Sequence, residues 1–256
     1  MVLPPESIKS GLNTHIIGRE ILFYPSVTST NDVAQEKARH RLPEGTVVIA
    51  STQTAGKGRL KRKWNSPEGT LAYSVILYPS VSRLPSLIMI ASLSVVYAIK
   101  AITGIQAQIK WPNDVLIDGK KVCGILIENR LKGNNVDYAV IGIGINANVN
   151  PAAYPEIAAT ATSLSIETGR EIALVPLIQQ LLIEMDKLYS PVLNEKKIFE
   201  EWRDNLITLG KNVRATSGDI VINGIAESVD ADGSLLVRQP DGNIIPVFQG
   251  DVTLKK

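Results

Sequence analysis

Aliphatic and aromatic residues dominate Ile21 to Val27, and this run reads as a first strand. Ser29-Thr30-Asn31-Asp32 then opens a helix to about His40, because short polar side chains favour helix starts. β-Branched residues from Thr46 to Ser51 form a second strand, and Thr70 to Tyr78 a third, paired hairpin-like around the loop between them. The most apolar run, Leu87 to Ile99, lies in a helix predicted over 84–103 and ended by Gly104. It is short for a bilayer span and edged by Pro85 and Lys100, so it reads as a core helix. Strands at 114–117 and 121–128 bracket the hairpin turn Asp118-Gly119, and 136–145 is a further strand. Helices are predicted over 174–189 and 196–206.

At Leu209-Gly210 the texture changes to short β segments. Turns are predicted at Ser217-Gly218-Asp219, Asn223-Gly224, Asp232-Gly233 and Asp241-Gly242. The pattern predicts an α+β domain over 1–209 and a small all-β barrel over 210–256.

Composition narrows the function classes. The chain has 256 residues, 45% hydrophobic and 20% charged, which is enough for a packed core. A net charge of +2 argues against general nucleic-acid affinity. The one cysteine, Cys123, excludes an internal disulfide and fits a reducing, cytoplasmic compartment. The start, Met1-Val2-Leu3-Pro4-Pro5-Glu6, lacks the basic and apolar parts of a signal peptide.

Against that near-neutral background, five of the seven residues from Lys57 to Lys63 are basic. They follow Gln53-Thr54-Ala55-Gly56, include Gly58 and end at Trp64. Glycine lets backbone approach a ligand, the cations attract anions, and the indole stacks on a flat ring. Together they point to a nucleotide or another phosphate-bearing species. The loop is no Walker A motif, since position 51 is Ser. A second cluster, Lys110-Trp111-Pro112-Asn113-Asp114, sets a cation, a ring and amides in one turn, with Pro112 pinning the backbone.

Gly142-Ile143-Gly144-Ile145-Asn146-Ala147 nominally matches a dinucleotide fingerprint. Asn148, Asn150, Pro151 and Pro155 forbid the helix that should follow, so that reading fails. Its glycines are expected to let a strand pass close to a ligand or another backbone. Lys121 to Glu128 reads as a buried strand with Cys123 as a small core residue. His15 and His40 are isolated, and no spacing fits a metal site.

Ser29-Thr30-Asn31, Gln53 to Trp64, Lys110 to Asp114, Lys121 to Glu128 and Gly142 to Asn146, in this order, resemble the biotin–protein ligases. The likeness runs from about Ile16 to the C-terminus. It implies a mixed, mainly antiparallel sheet flanked by helices, of the class II aminoacyl-tRNA-synthetase-like and biotin–lipoate ligase type. A small SH3-like barrel would follow. The family loop is usually Gly-Arg-Gly-Arg, whereas here the first arginine is Lys57, which lacks the planar fork. Lys61 stands where many members carry a small or uncharged residue.

The resemblance also implies the chemistry. Biotin and ATP give biotinyl-adenylate, and a lysine of a biotin carboxyl carrier domain then takes the biotin. Mg²⁺ is expected to arrive on the nucleotide phosphates, with no metal held by the chain itself. Arg59 and Lys110 are the expected catalytic cations. Ser29, Thr30, Asn31, Gln53, Gly56, Lys57, Gly58, Arg59, Lys110 and Gly124 are expected to bind biotin, and Lys57, Arg59, Arg62, Trp64, Lys110, Asn113 and Asn146 the ATP or adenylate. The loop is expected to be disordered until the adenylate supplies counter-charge. About 20 residues precede the first strand, too few for a three-helix DNA-binding domain, so no repressor function or DNA partner is expected. Members are often homodimers through a sheet edge. The rival readings are a lipoate or octanoate ligase, a noncatalytic biotin sensor and a nucleic-acid-binding protein.

Overall fold

A computed structural model describes residues 3–254 except 191, 219 and 249. The helices are α1 (Pro5–Lys9), α2 (Thr30–Arg39), α3 (Ser86–Thr103), α4 (Leu164–Thr168), α5 (Leu174–Tyr189) and α6 (Glu195–Asp204). The first seven strands are β1 (Ile21–Val27), β2 (Val47–Gln53), β3 (Thr70–Leu77), β4 (Gln108–Lys110), β5 (Asp114–Ile117), β6 (Lys120–Lys132) and β7 (Asn135–Asn146). They form one sheet in the order β1-β2-β3-β7-β6-β5-β4. Only β1 and β2 pair in parallel; the other contacts are antiparallel.

Helices cover both faces of this sheet. On one face α2 seats Ala34 and Ala38 against Val48, Ile76 and Val140. On the other, α3, α5 and α6 pack over Val47, Ile49, Tyr73 and Ile141. Val47 to Ala50 are therefore all buried, because a strand covered on both faces reads as an unbroken apolar run. By length and composition α3 is apolar enough to cross a bilayer, but 67% of it is buried inside the protein. Each such buried Leu or Ile contributes about 1.5–3 kcal/mol. The N-terminal segment is tied to α5 by Asp186, whose carboxylate accepts from the backbone N–H groups of His15, Ile16 and Ile17, each at 2.8 Å.

The remaining strands are β8 (Asn212–Ser217), β9 (Ile220–Val229), β10 (Leu235–Arg238), β11 (Ile244–Val247) and β12 (Asp251–Leu254). They form an antiparallel, SH3-like sheet in the order β11-β10-β9-β8-β12. One turn assignment changes. Asn223-Gly224 lies inside β9, and a Cβ on Gly224 would stand 2.1 Å from the Arg238 carbonyl oxygen. The glycine permits a close strand crossing there. Of the predicted turn 217–219, Asp219 lies outside the described residues.

Trp111 joins the two sheets. It is buried, its backbone N–H donates to Thr208 Oγ1 and its indole Nε1 donates to the Gly233 carbonyl, both at 2.9 Å. The outer edge of β4 is also occupied: Ile109 N–H donates to the Asn205 carbonyl, and Ile207 N–H to that of Ile109.

Candidate active site

The site begins with missing side chains. On adjacent strands Ala72 and Ser74 of β3 stand opposite Gly144 and Gly142 of β7, and Gly144 stands opposite Gly124 of β6. Gly124, Gly142 and Gly144 of this patch form the floor of a cavity of about 330 Å³. A Cβ on Gly142 would lie 2.0 Å from Asn31 Oδ1, and one on Gly144 2.5 Å from the Trp64 indole. What approaches these glycines is thus two side chains, where backbone or ligand was expected. The Trp64 Nε1 is buried without a partner among the described residues.

One end of the cavity is polar and neutral. The start of α2 delivers Ser29, Thr30 and Asn31, and the end of β2 delivers Gln53. Ser29 occupies the cap position of α2, yet its side chain makes no capping bond. Gln53 Oε1 instead accepts from the Thr30 backbone N–H at 2.8 Å, satisfying one of the helix's free donors.

The other wall is cationic. Lys57, Arg59, Arg62, Lys63 and Lys121 all line the cavity. Arg59 donates to Asn113 Oδ1 at 3.2 Å, and burial lowers its pKa from the ordinary value, opposed by Asp251 and Asp114. Lys121 pairs with Asp114 at 2.5 Å and lies 5.6 Å from the Trp64 ring centroid. Its backbone is clamped by bonds to Thr160 and Thr162. Lys57 pairs with Asp32, and Arg62 with Asp251 of the small sheet. Three contacts tie the loop to the rest of the protein, through the carboxylates of Asp32 and Asp251 and the amide of Asn113.

Most of the expected site residues converge here: Ser29, Thr30, Asn31, Gln53, Lys57, Gly58, Arg59, Arg62, Trp64, Asn113, Gly124 and Asn146 line one cavity. Two do not. Lys110 sits on β4 beyond β5, opposite Asp114, and is not among the lining residues. Gly56 faces the outer side of the loop, where a Cβ would stand 2.5 Å from the Trp64 carbonyl oxygen. Trp111, read as part of a ligand cluster, is instead the link between sheets. Sequence reasoning missed Lys121, which heads a strand it took for ordinary core, and Asp251, which arrives from the far end of the chain. Cys123 is buried, as expected of a small core residue, and burial pushes its thiol pKa up.

The model of the biotin/lipoate A/B protein ligase family matches residues 23–146, and that of the biotin protein ligase C terminal domain matches residues 208–255. The chain is 37% identical to the bifunctional ligase/repressor BirA of Bacillus subtilis, over 98% of its own length and 79% of that protein. The chain belongs to the biotin–protein ligase family. Among other relatives, the biotin–[acetyl-CoA-carboxylase] ligase of Paracoccus denitrificans is 34% identical over 79% of this chain and 88% of that one. The structure of the biotin protein ligase from Aquifex aeolicus in complex with biotin and ATP superposes with a TM-score of 0.79 at 29% identity. That match covers 93% of this chain and 99% of the other. The family brings with it an ATP-dependent ligase activity, and both halves of the fold expected from the motifs are those of a biotin–protein ligase.

Proposed function

We propose that this ligase activates biotin with ATP and passes it to one lysine of a biotin carboxyl carrier domain of a carboxylase. The observation that carries this reading is the single cavity joining a neutral hydrogen-bonding end, a cationic wall and an indole on a glycine floor. The biotin carboxylate and the ATP triphosphate repel each other, and fixed cations offset that repulsion in a partly desolvated site. Arg59 and Lys121 are the cations we assign to the reacting groups; Lys121 takes the role expected of Lys110. Ser29, Thr30 and Gln53 hold the ureido ring. Lys57, Gly58 and Arg59 wrap the carboxylate and phosphate. Arg62, Asn146 and Trp64 take the adenylate, with adenine against the indole.

In the first step a biotin carboxylate oxygen attacks the α-phosphorus and pyrophosphate leaves. In the second the carrier amine attacks the acyl carbon, AMP leaves, and an amide forms. Neither step needs a protein nucleophile. Mg²⁺ arrives with the nucleotide and shares its phosphate charge. Among the described residues no group of three or more His, Cys, Asp or Glu converges to cage a metal.

The working form is read as a cytoplasmic homodimer joined through the main sheet. β5 covers β6 only as far as Gly124, and the strand runs on to Lys132. DNA is not a partner in this reading, since four of the loop's five cations, all but Lys61, line the cavity. The test is ATP–pyrophosphate exchange with biotin, lipoate and octanoate in parallel. Exchange with biotin alone is expected. Exchange with lipoate or octanoate instead would move the chain to the sister activity, and tight biotin binding without exchange would make it a sensor.

A further inference from the structure

Five side chains form one hydrogen-bonded string beneath the polar end of the cavity: Glu128, Asn31, Ser74, Thr30 and Gln53. Counting hydrogens gives the string a direction. Asn31 Nδ2 donates to Glu128 Oε2 at 2.7 Å. A carboxylate only accepts, so the Asn31 amide is held with Oδ1 turned toward Ser74. Ser74 Oγ lies 2.7 Å from that Oδ1 and 2.8 Å from Thr30 Oγ1, and it has one hydrogen. Asn31 Oδ1 only accepts, so the Ser74 hydrogen goes there. The contact with Thr30 is then made by the Thr30 hydrogen, whose other acceptor is Gln53 Oε1 at 3.1 Å. Either way the Thr30 hydroxyl donates inward and offers a lone pair to the cavity. Gln53 Oε1 is already engaged by the Thr30 backbone N–H, which leaves the Gln53 NH₂ as the free half of its amide.

We propose that Glu128 and Ser74, neither of which lines the cavity, are specificity-determining positioning residues that set this polarity. The polar end then shows an acceptor, Thr30, to a ligand N–H and a donor, Gln53, to a ligand carbonyl. That is the complement of a cyclic urea, and neither a dithiolane nor an alkyl chain satisfies it. The position of Ser74 supports the assignment: it is fully buried, directly opposite Gly142, and the glycine leaves the room that Asn31 occupies between them. A site built on such bonds rejects analogues lacking the partner groups by about 10⁴–10⁵. The inference rests on the ligase reading.

The experiment compares wild type with Ser74→Ala and Glu128→Met, which removes the acceptor for Asn31 Nδ2, in steady-state ATP–pyrophosphate exchange, varying biotin and ATP separately and using octanoate as competing acid. Loss of one fixed buried bond is expected to raise the KM for biotin by about ten- to a hundredfold, with the KM for ATP within about twofold. The preference for biotin over octanoate should fall by a similar factor. A merely structural role would move both KM values together and leave the preference unchanged, and that result overturns the proposal. Should Ser74→Ala fail to fold, Glu128→Met, which keeps the side-chain length at a half-buried position but has no oxygen to accept from Asn31, decides by the same split. Absence of exchange by wild type with biotin would sink the ligase reading itself; normal wild-type exchange with unmoved variants sinks only this inference.

Discussion

Lys121 and Lys110 are both lysines beside Asp114, one by ion pair and one by strand register, yet only Lys121 lines the cavity. The difference is one of position in the sheet, since β4 is an edge strand and β6 forms the floor. A fixed cation at developing charge is worth about 10²–10³ in rate. Lys121→Ala is therefore expected to lower the adenylation kcat by about that factor, and Lys110→Ala by less, in single-turnover measurement of biotinyl-adenylate. Equal losses would return Lys110 to the site. Arg59 bonds Asn113 from the loop and is partly desolvated. Arg59→Gly removes the clamp, and faster release of biotinyl-adenylate in a trapping assay is the expected outcome. At this scale the loop motif was legible in the sequence, because five cations among seven residues have no plain structural use. The role of Lys121 was not, since a lysine at a strand start is ordinary.

At the scale of elements the glycine floor and the basic loop depend on each other. Gly142→Ala would put a Cβ 2.0 Å from Asn31 Oδ1 on a rigid sheet, so Asn31 must move. Weaker biotin binding by about 1–3 kcal/mol is expected by titration calorimetry, the range for a disturbed buried hydrogen bond. The loop itself carries Leu60 and Lys61 at φ 53° and 60°, the left-handed region that favours glycine. Lys61→Gly should relieve about 1–2 kcal/mol of local strain and slow amide exchange across 57–63. The strands, the long helices and the Asp118-Gly119 hairpin followed from local pattern. Asn223-Gly224 misled, because the same dipeptide serves a tight turn or a close strand crossing, and local sequence does not separate the two.

At the scale of the whole molecule two contacts tie the small sheet to the main sheet, and one of them lies at the cavity. Trp111 bonds Gly233, and Arg62 pairs with Asp251, 189 residues away. Trp111→Ala leaves a large hole between the sheets and is expected to cost about 3–5 kcal/mol, read as a lowered denaturation midpoint. An unchanged midpoint would mean the sheets do not unfold together. The sequence by itself determined which segments form strands and helices, the change of texture near Gly210, and the presence of a densely basic loop ending in an indole. Those are consequences of period, turn chemistry and local charge, all readable within a few residues. Tertiary structure alone decided which of two lysines lines the cavity, that Trp111 joins sheets rather than binding ligand, and that Ser74, Glu128 and Asp251 stand in or behind the wall. The reason is geometric: strand order and register bring together residues that are dozens to hundreds of positions apart, and no local pattern encodes which strands will be neighbours.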